Sequence, residues 1–516
     1  MPLKIIKKIL QARVYDVAHE TPIEAARFLT KRLNNHVLFK REDLQPVYSF
    51  KVRGAYNKIV NLSAEDQAKG VIAASAGNHA QGVALAAAQL GIQATIVMPT
   101  TTPEIKVSSV AALGGIVVLH GDSFDDAYAY AQDLMDQHGY CFVHPYDDED
   151  VIAGQGTVGM EILRQISGPL DAVFVPVGGG GLIAGVSCYI KYLRPDIKVI
   201  AVESEDSACF KAAMDAGKRV ILPEVGLFAD GVAVKQIGKE TFRLARQCVD
   251  EVITVSTDEI CAAIKDVFDD ARCITEPAGA LSVAGLKKYV KNHGVLDQTL
   301  LAITSGANVN FDRLRHIAER SELGEKREAI FAVTIPEETG SFKTFCKTLG
   351  KRSITEFNYR FAGGELAHVF VGVQTKSSAE VDILQTELSE KGYSVVNLSD
   401  NEMAKLHIRH LVGGHGPSKR EVADHEGNAA EEELELVFRF EFPERPGALL
   451  AFLQTLGSRW NISLFHYRNH GAAFGRVLVG MQVPEGEQKM VETYFSDLGY
   501  RYWDESNNPA YQLFLK

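Results

Sequence analysis

The chain has 516 residues, 46% of them hydrophobic and 23% charged, with 44 glycines against 17 prolines. That length exceeds one hydrophobic core, which stops growing at roughly 250–300 residues, so two to four globular domains are expected. A formal net charge of -12 excludes nucleic acid or an anionic membrane as the main partner, because both select a basic face, and leaves small molecules as the expected ligands.

The chain opens with MPLKIIKKILQARVYDVA, whose apolar positions are spaced like one face of a helix. No uninterrupted apolar core or small-residue cleavage site follows, so it reads as the first helix of the fold and not as a signal peptide. No run reaches the roughly 18 apolar residues of a membrane span. The seven cysteines (141, 188, 209, 248, 261, 273, 346) are scattered without a C-x-x-C, which indicates neither a disulfide framework nor a zinc site and fits a reducing cytoplasm.

Next comes SFKVRGA, 49 to 55, with Lys51 between Phe50 and Val52 at the expected first turn of a helix. The positive helix end and apolar neighbours both disfavour an ammonium there, which yields a nucleophilic amine. A solvated surface charge is the ordinary alternative for a lysine. From about 20 to 315 short apolar strands alternate with helical stretches, the rhythm of a parallel sheet covered on both faces. The strands are GVIAAS (70 to 75), QATIVMP (93 to 99), GGIVVLH (114 to 120), DAVFVPV (171 to 177), KVIAVE (198 to 203) and QTLLAITSG (298 to 306); AQGVALAAAQLG (80 to 91) and SFDDAYAYAQDLMDQHG (123 to 139) read as helices.

ASAGNHAQG, 74 to 82, follows a strand and opens an alanine-rich helix. The N–H groups of Ser75, Ala76, Gly77, Asn78 and His79 then converge beside an amide, a place suited to a carboxylate; a plain N-cap by Ser75 or Asn78 explains the stretch equally well. Further on, DAVFVPV runs into Gly178, Gly179, Gly180 and Gly181 before LIAGVSCYIKYLR. Strand, four residues without Cβ, and helix start bring backbone N–H groups and the positive helix end around one point, which suits a phosphate. Four successive glycines cost too much backbone entropy for a mere turn. A rival remains: Gly179, Gly181 and Ala184 satisfy G-x-G-x-x-A, with Glu203 ending the next strand where a nicotinamide dehydrogenase would hold a ribose. That pattern usually belongs to the first strand–helix unit of its domain, and here it falls mid-domain.

The charged run ERSELGEKRE, 319 to 328, lacks apolar periodicity and reads as a linker. Beyond it lies an internal repeat. TIPEETGSF (334 to 342) recurs as EFPERPGAL (441 to 449), aligning Gly340 with Gly447; ITEFNYR (354 to 360) recurs as ISLFHYR (462 to 468), and VFVGVQ (369 to 374) as VLVGMQ (477 to 482). Two copies of one unit are expected, each strand, turn, helix, strand, strand, helix, strand, since solenoid periods are only about 20–50 residues. The glycine-rich, charged segment 411 to 433 reads as the loop between them.

In order, S-F-K-x-R-G-A, S-A-G-N-H-A-Q-G, V-G-G-G-G-L, E-P-A-G-A and T-S-G-A-N resemble the fold type II pyridoxal phosphate enzymes, and among them the threonine dehydratases or threonine ammonia-lyases. The matches run through about 15 to 315, and the repeat resembles the ACT-like regulatory region of the biosynthetic, isoleucine-forming members. The resemblance implies a tryptophan synthase β-like α/β catalytic domain of two parallel-sheet subdomains at 1–320, a linker at 321–328, and an α+β regulatory domain. The last comprises ACT-like repeats at 329–410 and 434–516 around the loop at 411–433.

The resemblance further implies that Lys51 tethers the cofactor aldehyde and acts as general base, that Gly178 to Gly181 hold its phosphate, and that Asn78 bonds its phenolic oxygen. Phe50 would flank the ring and Ser305 would bond its nitrogen. A neutral hydroxyl there does not hold a proton on the ring as a carboxylate would, which favours elimination over transamination. Ser75, Ala76, Gly77, Asn78 and His79 would bind the substrate carboxylate, and the cofactor phosphate is thought to protonate the departing hydroxyl.

L-Threonine, with L-serine as second substrate, would give 2-oxobutanoate or pyruvate and ammonia. Isoleucine inhibition, valine activation, effector pockets beside the turns 336 to 340 and 443 to 447, a homotetramer and a cytoplasmic location are implied as well. Ala76 stands where serine racemases carry a serine, so racemisation is not expected. Some relatives bind a divalent cation through an acid like Glu203 and a nearby aspartate; Cys209 occupies that second place, so no metal is expected. Serine dehydratases share the scaffold, as do cysteine synthases, which carry a different S-G-N-T loop.

Overall fold

The computed structural model describes residues 3–311, 313–324, 328–338, 340–350, 352–360, 365–375, 377–401, 404–405, 433–443, 448–456, 460–468, 474–484, 486–498, 500–509, 511 and 515. Two compact units divide the chain, Met1–Gly324 and Glu325–Lys516.

The first unit holds two sheets. The larger runs Ile23–Ala25, His36–Arg41, Thr299–Thr304, Ala172–Pro176, Lys198–Ser204, Glu251–Val255, with only the first pairing antiparallel. The smaller is parallel, in the order Ile116–Leu119, Ala94–Met98, Val71–Ala74, Cys141–Phe142. Strands of this kind bury both faces. Val173, Val175, Val199, Ala201, Leu301 and Ile303 enter one apolar layer, while their neighbours Phe174, Ile200, Val202, Leu300 and Ala302 enter the layer on the other side. Each expected strand is present; five are two or three residues shorter than expected, and the one from Lys198 runs one residue further, to Ser204.

Helices fix what the sheets carry. Leu3–Gln11 buries Ile5, Ile6 and Ile9, the stripe anticipated from the N-terminal spacing. Asn78–Leu90 and Phe124–His138 fall on the two anticipated helical stretches, the second opened by a Ser123–Asp126 capping box. Glu149–Gln165 is the hub: it packs against both Lys51–Val60 and Gly181–Leu193, the helices that follow SFKVRGA and the glycine run. Close approach needs small residues. A Cβ on Gly154 would stand 2.6 Å from the Arg53 carbonyl oxygen, and one on Gly185 would stand 2.6 Å from the Gly156 nitrogen.

One expectation is corrected. The charged run from 319 is helical as far as Gly324, within Arg313–Gly324. Buried Ile317 anchors that helix to the apolar layer, Arg315 and Glu319 pair one turn apart at 3.0 Å, and Arg320 and Ser321 at the start of the run are themselves buried, so the polarity of the run did not mark an irregular segment there.

The second unit is an eight-stranded antiparallel sheet in which each copy contributes strand, helix, strand, strand, helix, strand. The copies join through Ile354–Arg360 and Asn461–Arg468. Asn358 pairs with His466, its own counterpart in the repeat, and Phe357–Tyr467 mirrors Tyr359–Phe465 about that point. A duplicated strand that pairs with its own copy generates a local two-fold axis, as in an isologous interface. Phe331, Phe345, Phe357, Phe438, Phe440, Phe452 and Phe465 share one core. Residues 411–432 and 444–447 lie outside the described residues, and with them all of the expected inter-repeat loop but Glu433, which opens the strand Glu433–Pro443, and most of the second turn.

Candidate functional site

Lys51 is the first residue of its helix. Its Nζ donates to the Pro145 carbonyl at 3.2 Å and lies 5.4 Å from the Phe50 ring centroid. Burial lowers the amine to about 8, with the Glu276 carboxyl opposing. A half-buried amine with one neutral acceptor therefore offers a far larger free-base fraction near neutrality than an ordinary lysine does.

The neighbouring residue carries the link to the glycine run. Tyr146 follows Pro145, and its ring occupies the space a side chain on Gly179 would need, while its Cα lies 3.2 Å from a Cβ built on Gly181. Gly178 abuts the Val232 backbone, and Gly180 sits at φ +93°, a conformation that favours glycine. Thr241 Oγ1 at 2.8 Å and the Gly238 N–H at 3.2 Å both donate to the Gly179 carbonyl, which fixes that peptide. The N–H groups of Gly178, Gly179 and Gly180 precede the first turn of Gly181–Leu193, so none closes an intrahelical bond. The result is an anion cradle at a positive helix end.

Two further segments meet Lys51. The Phe50 N–H donates to the Ser305 carbonyl at 3.3 Å, and Ser49 bridges Gly306, so TSGAN lies alongside SFK. The Ser305 hydroxyl is buried and donates to the Ala278 carbonyl at 3.3 Å. Asn78 donates through Nδ2 to Glu276 Oε1 at 2.6 Å and accepts from Asn308 Nδ2 at 2.7 Å. His79 uses Nε2 on the Val143 carbonyl at 2.7 Å and leaves a buried Nδ1 without a hydrogen bond; burial, with Lys51 adding, lowers it to about 3 and keeps it neutral.

Within the ASAGNH loop the N–H groups differ. That of Ser75 donates to Val97 at 3.1 Å, and that of Gly77 turns to the Ser75 hydroxyl at 3.3 Å. The Ser75 N–H is thereby closed into the sheet edge, and the remaining first-turn N–H groups are those left to meet a carboxylate.

Residues 14–306 match the pyridoxal-phosphate dependent enzyme family. Residues 319–408 and 426–515 match the C-terminal regulatory domain of threonine dehydratase. The chain is 56% identical over 513 residues to the L-threonine dehydratase biosynthetic IlvA of Burkholderia multivorans, covering 99% of both. With the like-named Escherichia coli protein it shares 56% over 512 residues, 99% of this chain and 96% of that one. The chain belongs to the biosynthetic threonine dehydratases.

Among solved structures it is similar to the processed form of threonine deaminase isoform 2 from Solanum lycopersicum, with 48% identity and a TM-score of 0.61 over 62% of this chain and 93% of that one. It is also similar to serine racemase from Dictyostelium discoideum, with 32% identity and a TM-score of 0.55 over 60% and 99%. Pyridoxal phosphate fits the residues present: an amine of lowered proton affinity for its aldehyde, a side-chain-free cradle for its phosphate, and an unpaired Nδ1 nearby.

The nicotinamide alternative is overturned. Both Glu203 oxygens accept from the Phe210 and Lys211 N–H groups, at 2.8 and 2.7 Å, so the carboxyl caps the helix Cys209–Ala216, and residues 14–306 match the pyridoxal-phosphate dependent enzymes instead. Burial still pushes it up to about 7, against those two bonds. Sequence reasoning missed Glu276, Asn308 and Tyr146. Glu276 stood inside the E-P-A-G-A motif, but nothing in its spacing connects it with Asn78, about 200 residues away.

In the second unit a pocket lies at the first turn, lined by Pro336, Glu337, Gly340, Tyr359, Trp460 and Asn461 among others, the last two from the second repeat. Tyr359 donates its hydroxyl to Glu337 at 2.6 Å, and burial raises that carboxyl above its usual range.

A test of the amine follows from its proton affinity. Uptake of pyridoxal phosphate by the apoprotein requires neutral Lys51, so the initial rate is expected to rise about tenfold per pH unit below 8 and to level off above it. A rate still climbing at pH 10 would mark an ordinary lysine. Absorbance of the bound cofactor reports the rate.

Proposed function

We propose that this chain deaminates L-threonine to 2-oxobutanoate and ammonia at the Lys51 site, the entry reaction of isoleucine synthesis, and accepts L-serine as a second substrate. The observation that carries this is the half-buried, low-affinity amine of Lys51 bonded to Pro145, one residue from the ring that closes over the glycine cradle.

Pyridoxal phosphate, when bound, supplies an aldehyde for the substrate amine and a ring that takes up the electron pair released at the α-carbon. The chain does the rest. Gly178, Gly179, Gly180 and Gly181 hold the phosphate by backbone N–H groups, with the helix dipole aligned. Asn78 gives its free N–H to the phenolic oxygen, Phe50 flanks the ring, and the Ser305 hydroxyl, which carries one donor and two lone pairs, turns to the ring nitrogen. Ala76, Asn78 and His79 N–H groups and the Ser75 hydroxyl bind the substrate carboxylate. Lys51 Nζ, once displaced, removes the α-proton as general base.

Control by isoleucine as inhibitor and valine as activator, a homotetramer and a cytoplasmic setting belong to the same proposal. The pocket at Pro336 to Gly340 supports the first, with Glu337 facing an effector ammonium. All seven cysteines are free, which fits a reducing compartment. Glu337→Gln is expected to raise the isoleucine concentration for half-inhibition by at least about tenfold, the loss of one charge-assisted bond. Unchanged sensitivity would move the effector elsewhere.

The overall reading is tested by the absorption spectrum of the purified chain, borohydride reduction, and a 2-oxoacid assay with threonine, with and without isoleucine. A colourless protein that takes up no cofactor and forms no 2-oxoacid would reject it.

A further inference from the structure

Glu276 immediately precedes the helix Pro277–His293 and is 4% exposed. Among the described residues its carboxyl has no ion-pair partner, and the hydrogen bond it accepts comes from Asn78 Nδ2 at 2.6 Å. The nearby cation Lys106 is spent on Asp230 at 2.7 Å. Room for the carboxyl is made by Gly306, where a Cβ would collide with Oε1, and by Gly231, whose Cβ would stand 3.6 Å from it. Burial, with Asp230 adding, pushes this carboxyl up to about 7 while Lys106 and Lys51 act on it only through space, so keeping an acid here is costly and a stability role alone explains it poorly.

What it does to Asn78 is specific. A primary amide has two N–H donors and one oxygen with two lone pairs. Asn308 Nδ2, itself held by the Val47 carbonyl at 2.8 Å, donates to Asn78 Oδ1, and Glu276 accepts one N–H from Nδ2. Donor on one side and acceptor on the other define which end of the amide is nitrogen. One N–H is left over.

We propose that Glu276 is a positioning residue of the cofactor site, whose carboxyl oxygen locks the Asn78 amide so that its single uncommitted N–H faces the phenolic oxygen of pyridoxal phosphate. The inference rests on the assignment of Asn78 as a cofactor ligand. Reach and acceptor character matter here, and charge does not.

The test titrates pyridoxal phosphate into the apo form of the full chain and follows the cofactor absorbance for wild type, E276Q, E276D and E276L. Glutamine keeps an acceptor oxygen at the same reach, so its affinity is expected within about threefold of wild type with the same absorption band. Aspartate withdraws the oxygen by one methylene and leucine removes it, so both are expected to bind about tenfold more weakly with a shifted band. In an N78A background the E276L loss is expected to disappear, because it acts through the amide.

E276L binding as tightly as wild type overturns the proposal, and so does an undiminished loss in N78A. Should E276L fail to fold, the other two variants decide, and aspartate binding as tightly as glutamine overturns it. A wild type that carries no cofactor on Lys51 would instead overturn the underlying site assignment.

Discussion

Lys51→Ala is expected to stop 2-oxobutanoate formation, with kcat reduced by at least roughly 100- to 10,000-fold, because one side chain serves as both cofactor tether and general base. The variant should still fold: the bond it loses is a single contact to Pro145 at 3.2 Å, and it removes a half-buried amine whose charged form burial already disfavours. Thermal melting of the cofactor-free forms checks that point. Lys51→Arg is expected to be equally inactive, since a guanidinium stays protonated and cannot attack an aldehyde. Mass spectrometry after borohydride reduction should find the cofactor on the peptide containing Lys51 in wild type and on no peptide in either variant. Retention of a tenth of the wild-type rate would require another base.

Arg53→Met is expected to destabilise the first unit strongly. The Arg53 side chain is fully buried and donates to Glu42 through Nε and Nη2, both at 2.7 Å, and to Glu161 through Nη1 at 2.6 Å and Nη2 at 3.0 Å. Lys40 adds a bond to Glu161 at 2.6 Å. Burial alone would raise the Glu42 carboxyl, yet the charge and bonds of Arg53 hold it below its usual range. Removing Arg53 leaves two buried carboxylates facing one lysine, a cost of about 3–5 kcal/mol.

The melting temperature is expected to fall by roughly 10 °C. Since Lys51 opens the helix that carries Arg53, cofactor affinity should fall as well. Adding Glu42→Gln should recover part of the loss, because it removes an uncompensated charge. A melt within about 2 °C of wild type would mean that the network is not the anchor of this helix. Arg53→Lys should not rescue, since an ammonium cannot bond two carboxylates in fork geometry.

Much of this was legible in the sequence. The alternation of apolar strands and helical stretches announced a parallel sheet, because period and burial are local properties of a segment. The glycine run announced an anion site, since only residues lacking Cβ let several N–H groups converge so closely. The repeat announced two copies of one unit, and Lys51 was visible as an amine at a helix start. What lay beyond reach depends on distance across the chain. That strand 354–360 pairs with its own duplicate, that Tyr146 closes over Gly179, and that Glu276 holds Asn78 are contacts between segments with no shared period.

Two further outcomes depended on partners. The run at 319 to 328 looked like a linker because its polarity was plain, whereas its first residues are helical, held by Leu314 and Ile317 just before it and by the burial of Arg320 and Ser321. Glu203 looked like a ribose ligand until both of its oxygens met the N–H groups of Phe210 and Lys211. A sequence states which groups a chain owns and how each segment repeats. Only the packed chain decides which donors and acceptors are already spent, because each N–H or lone pair used inside the fold is one fewer for a ligand.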